Sequence, residues 1–441
     1  MVAATAWGVQ AHAAVGDPQI MTDHPWFPGE LSCSTVQRVI QAGYVQYRRV
    51  TGRDPVTDQD KALAAWYWRN THFWHTEDAR LDYWGSGFRD GQGPTGGDLF
   101  PREFWLGLFS QGSSLCGAAH AQFSALMQEI LGPGTARVVG VVGHNSHEVW
   151  LTGPAYGKGR WAILDSDICC VVFDEQGRRL CSLTDVIANP RLLDPAYKPA
   201  RQHGWPVSGI SADNAASSLK KFRTAEYNAG YFGAPPLLYL PAGMSFRRYP
   251  RPGLGAKTYV FFGANYNTGG IPGPARDRTW VRNPAAMYGA TGDAGKLSGP
   301  PMRYGNGVFT YRPDFRDGSY RQALVDESAG GVTFEFSSPY LIACTPPDRS
   351  KWGLYRPGCT NGLLLYGRAD CSVALSTDFG ASWTDCGRFR DGMDLTDLVK
   401  GRRQYWLRFG APAGKLADAG LTVRTVVQIN PAVFPHLKSA G

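Results

Sequence analysis

The chain is 441 residues long, which excludes a single typical hydrophobic core, so two or three domains are expected. Its many Gly, Pro and aromatic residues favour a β-rich, loop-heavy architecture over a helical bundle. The sequence has no run of eighteen apolar residues, so no membrane span is predicted. The net charge of +8 fits an acidic partner such as an anionic polysaccharide, or simply a solvated surface. Because no nucleic-acid motif accompanies the dispersed charges, a nucleic-acid partner is not expected.

Residues 1–30 are predicted to be an N-terminal tail or the remnant of a signal peptide. Their first part is small and apolar, and Ala11-His12-Ala13 resembles a signal-peptidase site, but no Lys or Arg precedes Arg38. A truncated signal peptide predicts a secreted or periplasmic protein. A plain disordered tail is the alternative interpretation.

Residues 31–235 carry the patterns of a domain that mixes helices and strands. Apolar residues at helical spacing predict one helix over 32–51 and a second from Asp58. A third helix is expected from a cap at Ser113 or Ser114 to about Ile130.

Three neighbouring strands are predicted after these helices, at 137–142, 147–151 and 160–165. A further hairpin over 168–181 and a capping box at Ser182 follow. The Gly-rich stretch 83–103 is expected to form a loop near the functional site, and 189–235 a linker with some helix.

Residues 236–441 are predicted to form a β-sandwich, because short apolar runs alternate with Gly, Pro, Asn and Asp clusters. These runs are 258–262, 332–336, 363–366, 373–375, 405–409 and 421–427. One Ser-x-Asp-x-Gly-x-x-Trp sequence from Ser376 to Trp383 matches the Asp-box pattern, whose expected role is to fold a hairpin turn. A single copy does not predict a propeller.

The nine cysteines are an odd number, so one of them is expected to be a free thiol. Four late cysteines would suit two disulfides in an exported β domain: Cys344, Cys359, Cys371 and Cys386. Reduced, buried cysteines of a cytosolic protein are the alternative. No CxxC spacing occurs, and neither a metal nor a cofactor is predicted.

The functional prediction depends on Cys116, His144 and Asp165, which follow one another within fifty residues. Cys116 falls in the first turn of the predicted third helix, where exposed N–H groups and the helix dipole favour a thiolate and can bind an oxyanion. An imidazole beside the thiolate would hold it as an ion pair, and a carboxylate would orient that imidazole. These are the parts of a cysteine catalytic triad.

Residues 111–167 resemble the core of the transglutaminase-like superfamily. The resemblance rests on four motifs in order: Cys116 opening a helix, Ala136-Arg137-Val138-Val139, His144 to Val149 with Glu148, and Trp161-Ala162-Ile163-Leu164-Asp165. It implies an α+β fold with a papain-like core of helix plus antiparallel sheet, with Cys116 as nucleophile, His144 as base and Asp165 as orienter. Where that family often has an aromatic residue, two places after the His, this chain has Ser146. The calcium sites of animal transglutaminases find no match.

Several assignments within this set stay open. His147 is an alternative base, but His144 and His147 cannot both face the thiol, because residues three apart on a strand point to opposite sides. Asp167, which shares a face with Asp165 if the strand continues, is an alternative orienter. Gln111 could lend an amide to the oxyanion, and Glu148 could support the site or simply tie strands together. His120 and two tryptophans, Trp84 and Trp105, are interpreted as packing or supporting residues.

The expected function is that of a thiol-dependent hydrolase or acyl transferase that cleaves or exchanges amide bonds through a Cys thioester. A protease or amidase is favoured over a crosslinking enzyme by analogy with exported bacterial members of the superfamily. Peptide, glycopeptide or polysaccharide-associated substrates are expected partners. The alternative is a glycan- or peptide-binding protein that uses its C-terminal β domain and has little or no catalysis.

Overall fold

The computed structural model describes twelve segments of the chain. They are residues 35–75, 102–111, 113–114, 116–141, 144–167, 170–193, 222–226, 229–234, 236–248, 307–345, 357–429 and 436–438. Their architecture is α+β, with helices and antiparallel sheets. Contacts divide these residues into two compact units, 35–234 and 236–438.

Two capped helices open the first unit. Helix α1 spans Val36–Thr51, and the side chain of Thr35 accepts the N–H of Arg38 at its start. Helix α2 spans Asp58–His72 and begins with the capping box of Thr57 and Asp60. These caps satisfy backbone N–H groups that have no partner inside a helix, which is why both helices begin where they do.

The other helices of the first unit are shorter or more deeply buried. They are α3 at Phe104–Leu106, continued by a π-helical turn over Gly107–Gln111, α4 at Cys116–Leu131 and α5 at Leu183–Ala188. The predicted capping box of Ser182 with Asp185 is present at the start of α5. Helix α4 packs against α2 and against two central strands of the sheet.

The first unit contains a five-stranded antiparallel sheet in the order β6-β5-β4-β3-β7. Its strands are β3 at Ala136–Val141, β4 at His144–Gly153, β5 at Gly157–Asp165, β6 at Cys170–Val171 and β7 at Phe222–Glu226. A separate two-residue parallel pair joins β1, Trp74–His75, to β2, Ser113–Ser114. Because β4 and β5 are neighbouring antiparallel strands, the first residue of β4, His144, and the last residue of β5, Asp165, lie at the same end of the strands.

Strand β7 was not predicted. The sequence analysis interpreted 189–235 as a linker with some helix, and the 3₁₀ turn Pro190–Leu193 fits that description. Phe222–Glu226 instead pairs antiparallel with β3. This strand is stabilised by its backbone hydrogen bonds to the distant strand β3. Its own five residues are of mixed polarity and do not predict a strand. The expected loop 83–103 lies outside the described residues except for its last two.

The second unit contains two antiparallel sheets. The first has the order β17-β14-β19-β10-β9, with β13 also paired to β19, and the second has the order β11-β12-β18-β15-β16. Strands of the first sheet are β9 Met244–Arg248, β10 Gly307–Tyr311, β13 Leu341–Ile342, β14 Leu363–Tyr366, β17 Met393–Asp394 and β19 Thr422–Gln428. Strands of the second are β11 Leu324–Ser328, β12 Gly331–Ser337, β15 Ser372–Ser376, β16 Thr384–Arg388 and β18 Gln404–Phe409.

Side chains of the two sheets meet in an aromatic core. The rings of Phe309 and Phe336 lie 5.2 Å apart, and the hydroxyl of Tyr405 bonds that of Thr425 at 2.7 Å. Short elements complete the unit: helices α6 Thr396–Val399 and α7 Ala413–Leu416, a 3₁₀ turn Ser319–Ala323, and the parallel pair of β8 Leu237–Tyr239 with β20 His436–Lys438. Of the six predicted runs in this region, 258–262 lies outside the described residues and the other five coincide with strands, apart from Leu421, which precedes β19.

The Asp-box sequence folds the turn between β15 and β16. Asp378 accepts the hydroxyl of Ser376 at 2.7 Å and the N–H of Ser382 at 2.9 Å. Gly380 occupies the left-handed region, with φ +82°, and a Cβ there would collide with the ring of Trp406. These contacts close the turn without any ligand, as the sequence pattern predicts.

Candidate functional site

Cys116 is the first residue of α4 and is half-buried. Its sulfur, a ring nitrogen of His144 and a carboxylate oxygen of Asp167 all lie within 4.8 Å of one another. The thiol is thus a close neighbour of the His144 imidazole. The helix start and the sheet edge therefore place the predicted nucleophile beside the predicted base.

His144 is the first residue of β4, and its Nε2 lies 2.8 Å from Oδ2 of Asp165. Since Asp165 occupies Nε2, Nδ1 is the nitrogen left to serve the thiol. Burial works against a charged ring here, but the charge and hydrogen bond of Asp165, the hydrogen bond with Cys116 and the charge of Asp167 raise the pKa of His144 to about 11. The imidazole is therefore held as imidazolium at neutral pH.

Asp165, the last residue of β5, is fully buried and its carboxylate is surrounded by donors. Oδ2 faces His144 and accepts the hydroxyl of Ser146 at 2.7 Å, while Oδ1 lies 3.1 Å from Nε2 of His120 and accepts the N–H of Asp167 at 2.9 Å. Burial alone would raise the pKa of this carboxyl, but the charges and hydrogen bonds of His120 and His144 hold it well below its usual range. Asp165 is thus a fixed anion.

The backbone of Asp165 is also anchored. Its carbonyl accepts the indole N–H of Trp66, on α2, at 2.7 Å. Both the main chain and the carboxylate of the orienter are consequently held by buried partners from different elements, which fixes the direction in which Asp165 presents its oxygens to His144.

His147 takes a different position from His144. It is fully buried, and its Nε2 lies 2.9 Å from the hydroxyl of Ser124 on α4. Burial and the charge of His120 hold the pKa of His147 well below its ordinary value. His147 is therefore a neutral core residue, and its contacts do not support the alternative in which it acts as the base.

The expectation that residues three apart on β4 must face opposite sides is too strict here. The rings of His144 and His147 lie 5.8 Å and 5.7 Å from that of His120, so both reach the same neighbour. His144 stands at the end of its strand, where pairing constrains the side-chain direction less than in the strand interior.

Asp167 lies farther from His144 than Asp165 does, with Oδ2 3.8 Å from Nδ1. It is buried, and its charge acts on Arg69, a fully buried residue of α2 whose Nη2 donates to Gln122 at 2.6 Å. Asp167 thus faces the thiol side of the imidazole, whereas Asp165 binds the opposite nitrogen.

Glu148 ties elements together. Its Oε2 accepts Nε of Arg137 at 3.0 Å and its Oε1 accepts the N–H of Leu183 at 2.8 Å. It therefore links β4 to β3 and to the start of α5, as the tying alternative predicted.

Three further residues were singled out in the sequence: Trp105, Gln111 and Trp84. Trp105 is buried and stacks on Phe109 at 5.8 Å, as expected of a packing residue. Gln111 ends the π-helical turn before β2, but its side chain and Trp84 lie outside the described part of the structure. The oxyanion role of Gln111 stays a prediction.

Sequence reasoning missed the bond of Ser146 and His120 to Asp165. Ser146 was noted only for the aromatic residue it replaces. The available signals were that Ser146 shares a strand face with His144 and that His120 lies one helical turn after Cys116.

Two overlapping sets of side chains could coordinate a metal ion in this part of the chain. They are Cys116, His144 and Asp167, and His120, His144 and Asp165. Both use His144, whose Nε2 already lies 2.8 Å from Asp165, so a metal ion would compete with that contact.

No described helix is long and apolar enough to cross a membrane. Comparison of the chain with protein-family models, with curated proteins and with solved structures finds no match.

Proposed function

We propose that the protein is a thiol-dependent hydrolase or acyl transferase that acts on amide bonds, with Cys116 as nucleophile. The observation that carries the proposal is the chain of contacts from the Cys116 thiol to His144 and from His144 Nε2 to Asp165. Such a chain supplies a nucleophile, a proton carrier and a fixed counter-charge in a buried setting. A transglutaminase-like, papain-like core followed by a β-sandwich is the fold we assign to it.

The reaction would begin with attack of the Cys116 sulfur on an amide carbonyl. Negative charge then develops on the carbonyl oxygen, where the N–H groups at the start of α4 can stabilise it. His144 gives a proton to the departing amine, which leaves a thioester on Cys116. The buried Asp165 carboxylate stabilises the imidazolium before this step and holds the ring in place during it.

Release of the product would reverse the proton transfer. His144, now neutral, takes a proton from an attacking water or amine, and the thioester bond breaks to regenerate the thiol. Water gives a protease or amidase, and an amine gives acyl transfer. We favour hydrolysis, with peptides or glycopeptides as substrates and an exported protein as the setting.

A peptide and glycopeptide library incubated with the full chain tests the proposal. Mass spectrometry locates any cleaved bond, and an added primary amine reveals transfer as a new amide product. We expect cleavage by the wild type, loss in Cys116→Ala, and retention in the matched control Cys181→Ala, whose thiol is a buried core group. Equal cleavage by wild type and Cys116→Ala, or binding of library members without any turnover, would contradict the proposal.

A further inference from the structure

Two buried cysteines of the second unit lie next to a bridge between neighbouring segments of the chain. Cys344 follows β13 and Cys359 precedes β14, and they are only 3% and 4% exposed. The residues that follow them, Thr345 and Thr360, exchange both backbone hydrogen bonds, at 2.7 and 2.9 Å. Because side chains alternate along an extended chain, both thiols point to the face opposite to that of Thr345 and Thr360, from diagonal positions across the bridge.

Asp397 and Lys400 form an ion pair next to Cys359. Asp397 accepts the N–H groups of Gly358 and Cys359 at 2.6 and 3.0 Å and the ammonium of Lys400 at 2.7 Å. The hydrogen bond from Cys344, together with the charge and hydrogen bond of Lys400, lowers the pKa of Cys359 despite its burial. The hydrogen bond to Cys359 and burial raise the pKa of Cys344. One member of the pair is thereby favoured as thiolate and the other as thiol.

We propose that Cys344 and Cys359 form a redox-active dithiol that closes to a disulfide by exchange with a small-molecule disulfide. The Cys359 thiolate attacks one sulfur of that disulfide, whose S–S bond breaks and releases one small thiolate. The Cys344 sulfur then attacks Cys359, loses its proton and displaces the second small thiolate. The two cysteines are oxidised and the small disulfide is reduced to two thiols. One departing thiolate takes up the proton of Cys344, and the other takes up from solvent the proton that Cys359 released on ionising.

The other late cysteines do not share this arrangement. The thiol of Cys386 contacts the carbonyl of Thr384 at 3.5 Å, and burial raises the pKa of both Cys386 and Cys371. The proposal therefore assigns a single disulfide among the four late cysteines, between Cys344 and Cys359, where the sequence alone predicted two without pairing them. Closing it would join the end of β13 to the start of β14.

Peptide mapping of the full chain tests the assignment. Protein is equilibrated in glutathione buffers from fully reduced to fully oxidised, quenched in acid, blocked with N-ethylmaleimide and digested with trypsin without reduction. Cys344 and Cys359 fall in separate peptides, 322–349 and 352–368, whereas Cys371 and Cys386 share 369–388. We expect a cross-link of the first two peptides that increases with oxidised glutathione, with 369–388 alkylated at both positions.

Variants sharpen this result. A disulfide constrains the unfolded chain, so we expect oxidation to raise the urea midpoint of unfolding. Cys344→Ser and Cys359→Ser should each abolish both the cross-link and this rise, and Cys371→Ser should leave both unchanged. Absence of the cross-link in wild-type protein at the most oxidising ratio overturns the proposal, as does a dominant link from either cysteine to Cys371 or Cys386. The wild-type map decides the question even if a variant fails to fold.

Discussion

His120 and Asp165 form a buried pair, with Nε2 of His120 lying 3.1 Å from Oδ1 of Asp165. Neither side chain is exposed to solvent. Asp165 therefore bonds imidazoles through both of its oxygens, and one of them, His144, also lies beside the half-buried Cys116. His120 fixes the carboxylate that in turn fixes the proposed base.

Removing His120 should destabilise the protein. A buried carboxylate that loses one donor costs about 1–3 kcal/mol, and truncation of a core side chain adds a cavity. We expect His120→Ala to lower the free energy of unfolding by about 3 kcal/mol. His120→Gln, which keeps an N–H donor near the position of Nε2, should lose less. Urea denaturation at neutral pH measures both, and two variants as stable as wild type would contradict the role of this pair.

The two carboxylates near His144 should differ in their effect on turnover. Asp165→Asn removes the buried charge beside Nε2, and we expect kcat/KM on the library substrate to fall by about 10²–10⁴-fold. Asp167→Asn removes a charge 3.8 Å from Nδ1 and should have a smaller effect. Steady-state kinetics on both variants measure the two losses. A larger loss in Asp167→Asn than in Asp165→Asn would show that Asp167, and not Asp165, orients His144.

Stability below neutral pH should depend on His147. Its folded pKa lies well below that of an unfolded histidine, about 6.5, so its contribution is complete above that pH and is lost as the pH falls. The expected slope from this residue is up to about 1.4 kcal/mol per pH unit. His147→Gln has no such titration and should show a flatter profile between about pH 5 and 6.5.

His144 should not obscure this comparison. Its pKa is raised to about 11 in the folded protein, so its contribution is complete below about pH 6.5 and is lost only as the pH rises toward the folded value. Free energies of unfolding from chemical denaturation at several pH values provide the test. Parallel profiles for wild type and His147→Gln would show that His147 is not the neutral core group described here.

Glu148 should matter for stability and not for the thiol. Glu148 is buried, pairs with the partly exposed Arg137 and also accepts the N–H of Leu183, so its truncation should cost up to about 3–5 kcal/mol. We expect Glu148→Ala to be destabilised by that amount while Cys116 in the folded fraction keeps its reactivity. The exposed pair of Arg316 and Asp418 is the control, since Asp418→Ala should change stability by less than about 1 kcal/mol. Similar costs for the two variants would argue against a special role for the Glu148 contacts.

Much of the first unit follows from local sequence signals. As the sequence predicts, the second helix begins at Asp58 and the capping box at Ser182 is present. A helix also begins at Cys116, although Ser113 and Ser114, the expected caps, form β2. These features depend on residues within one or two turns, which a sequence displays directly. The spacing to Glu148 favours His144 over His147, and His144 is the one of the two that lies beside the thiol.

Other parts depend on contacts between distant residues. Strand β7 is a strand because it pairs with β3, about eighty positions earlier, and its own composition gives little indication of that partner. The bond of Ser146 to Asp165 likewise requires the register of β4 against β5. Catalytic function, the β-sandwich assignment and the exported location stay predictions, because neither the geometry nor the comparisons test them.

The most direct test of the central claim is alkylation of Cys116 by iodoacetamide at about pH 5.5, where an ordinary thiol with a pKa near 8.5 reacts only slowly. Because the pKa of Cys359 is lowered, the label must be read on the tryptic peptide 103–137, whose only cysteine is Cys116. The account predicts rapid labelling of this peptide in wild-type protein and slow labelling in His144→Asn. If Cys116 in the folded wild type reacts no faster than free cysteine, with a rate that rises about tenfold per pH unit up to about pH 8, the thiolate–imidazolium pair does not exist and the proposed catalysis is contradicted.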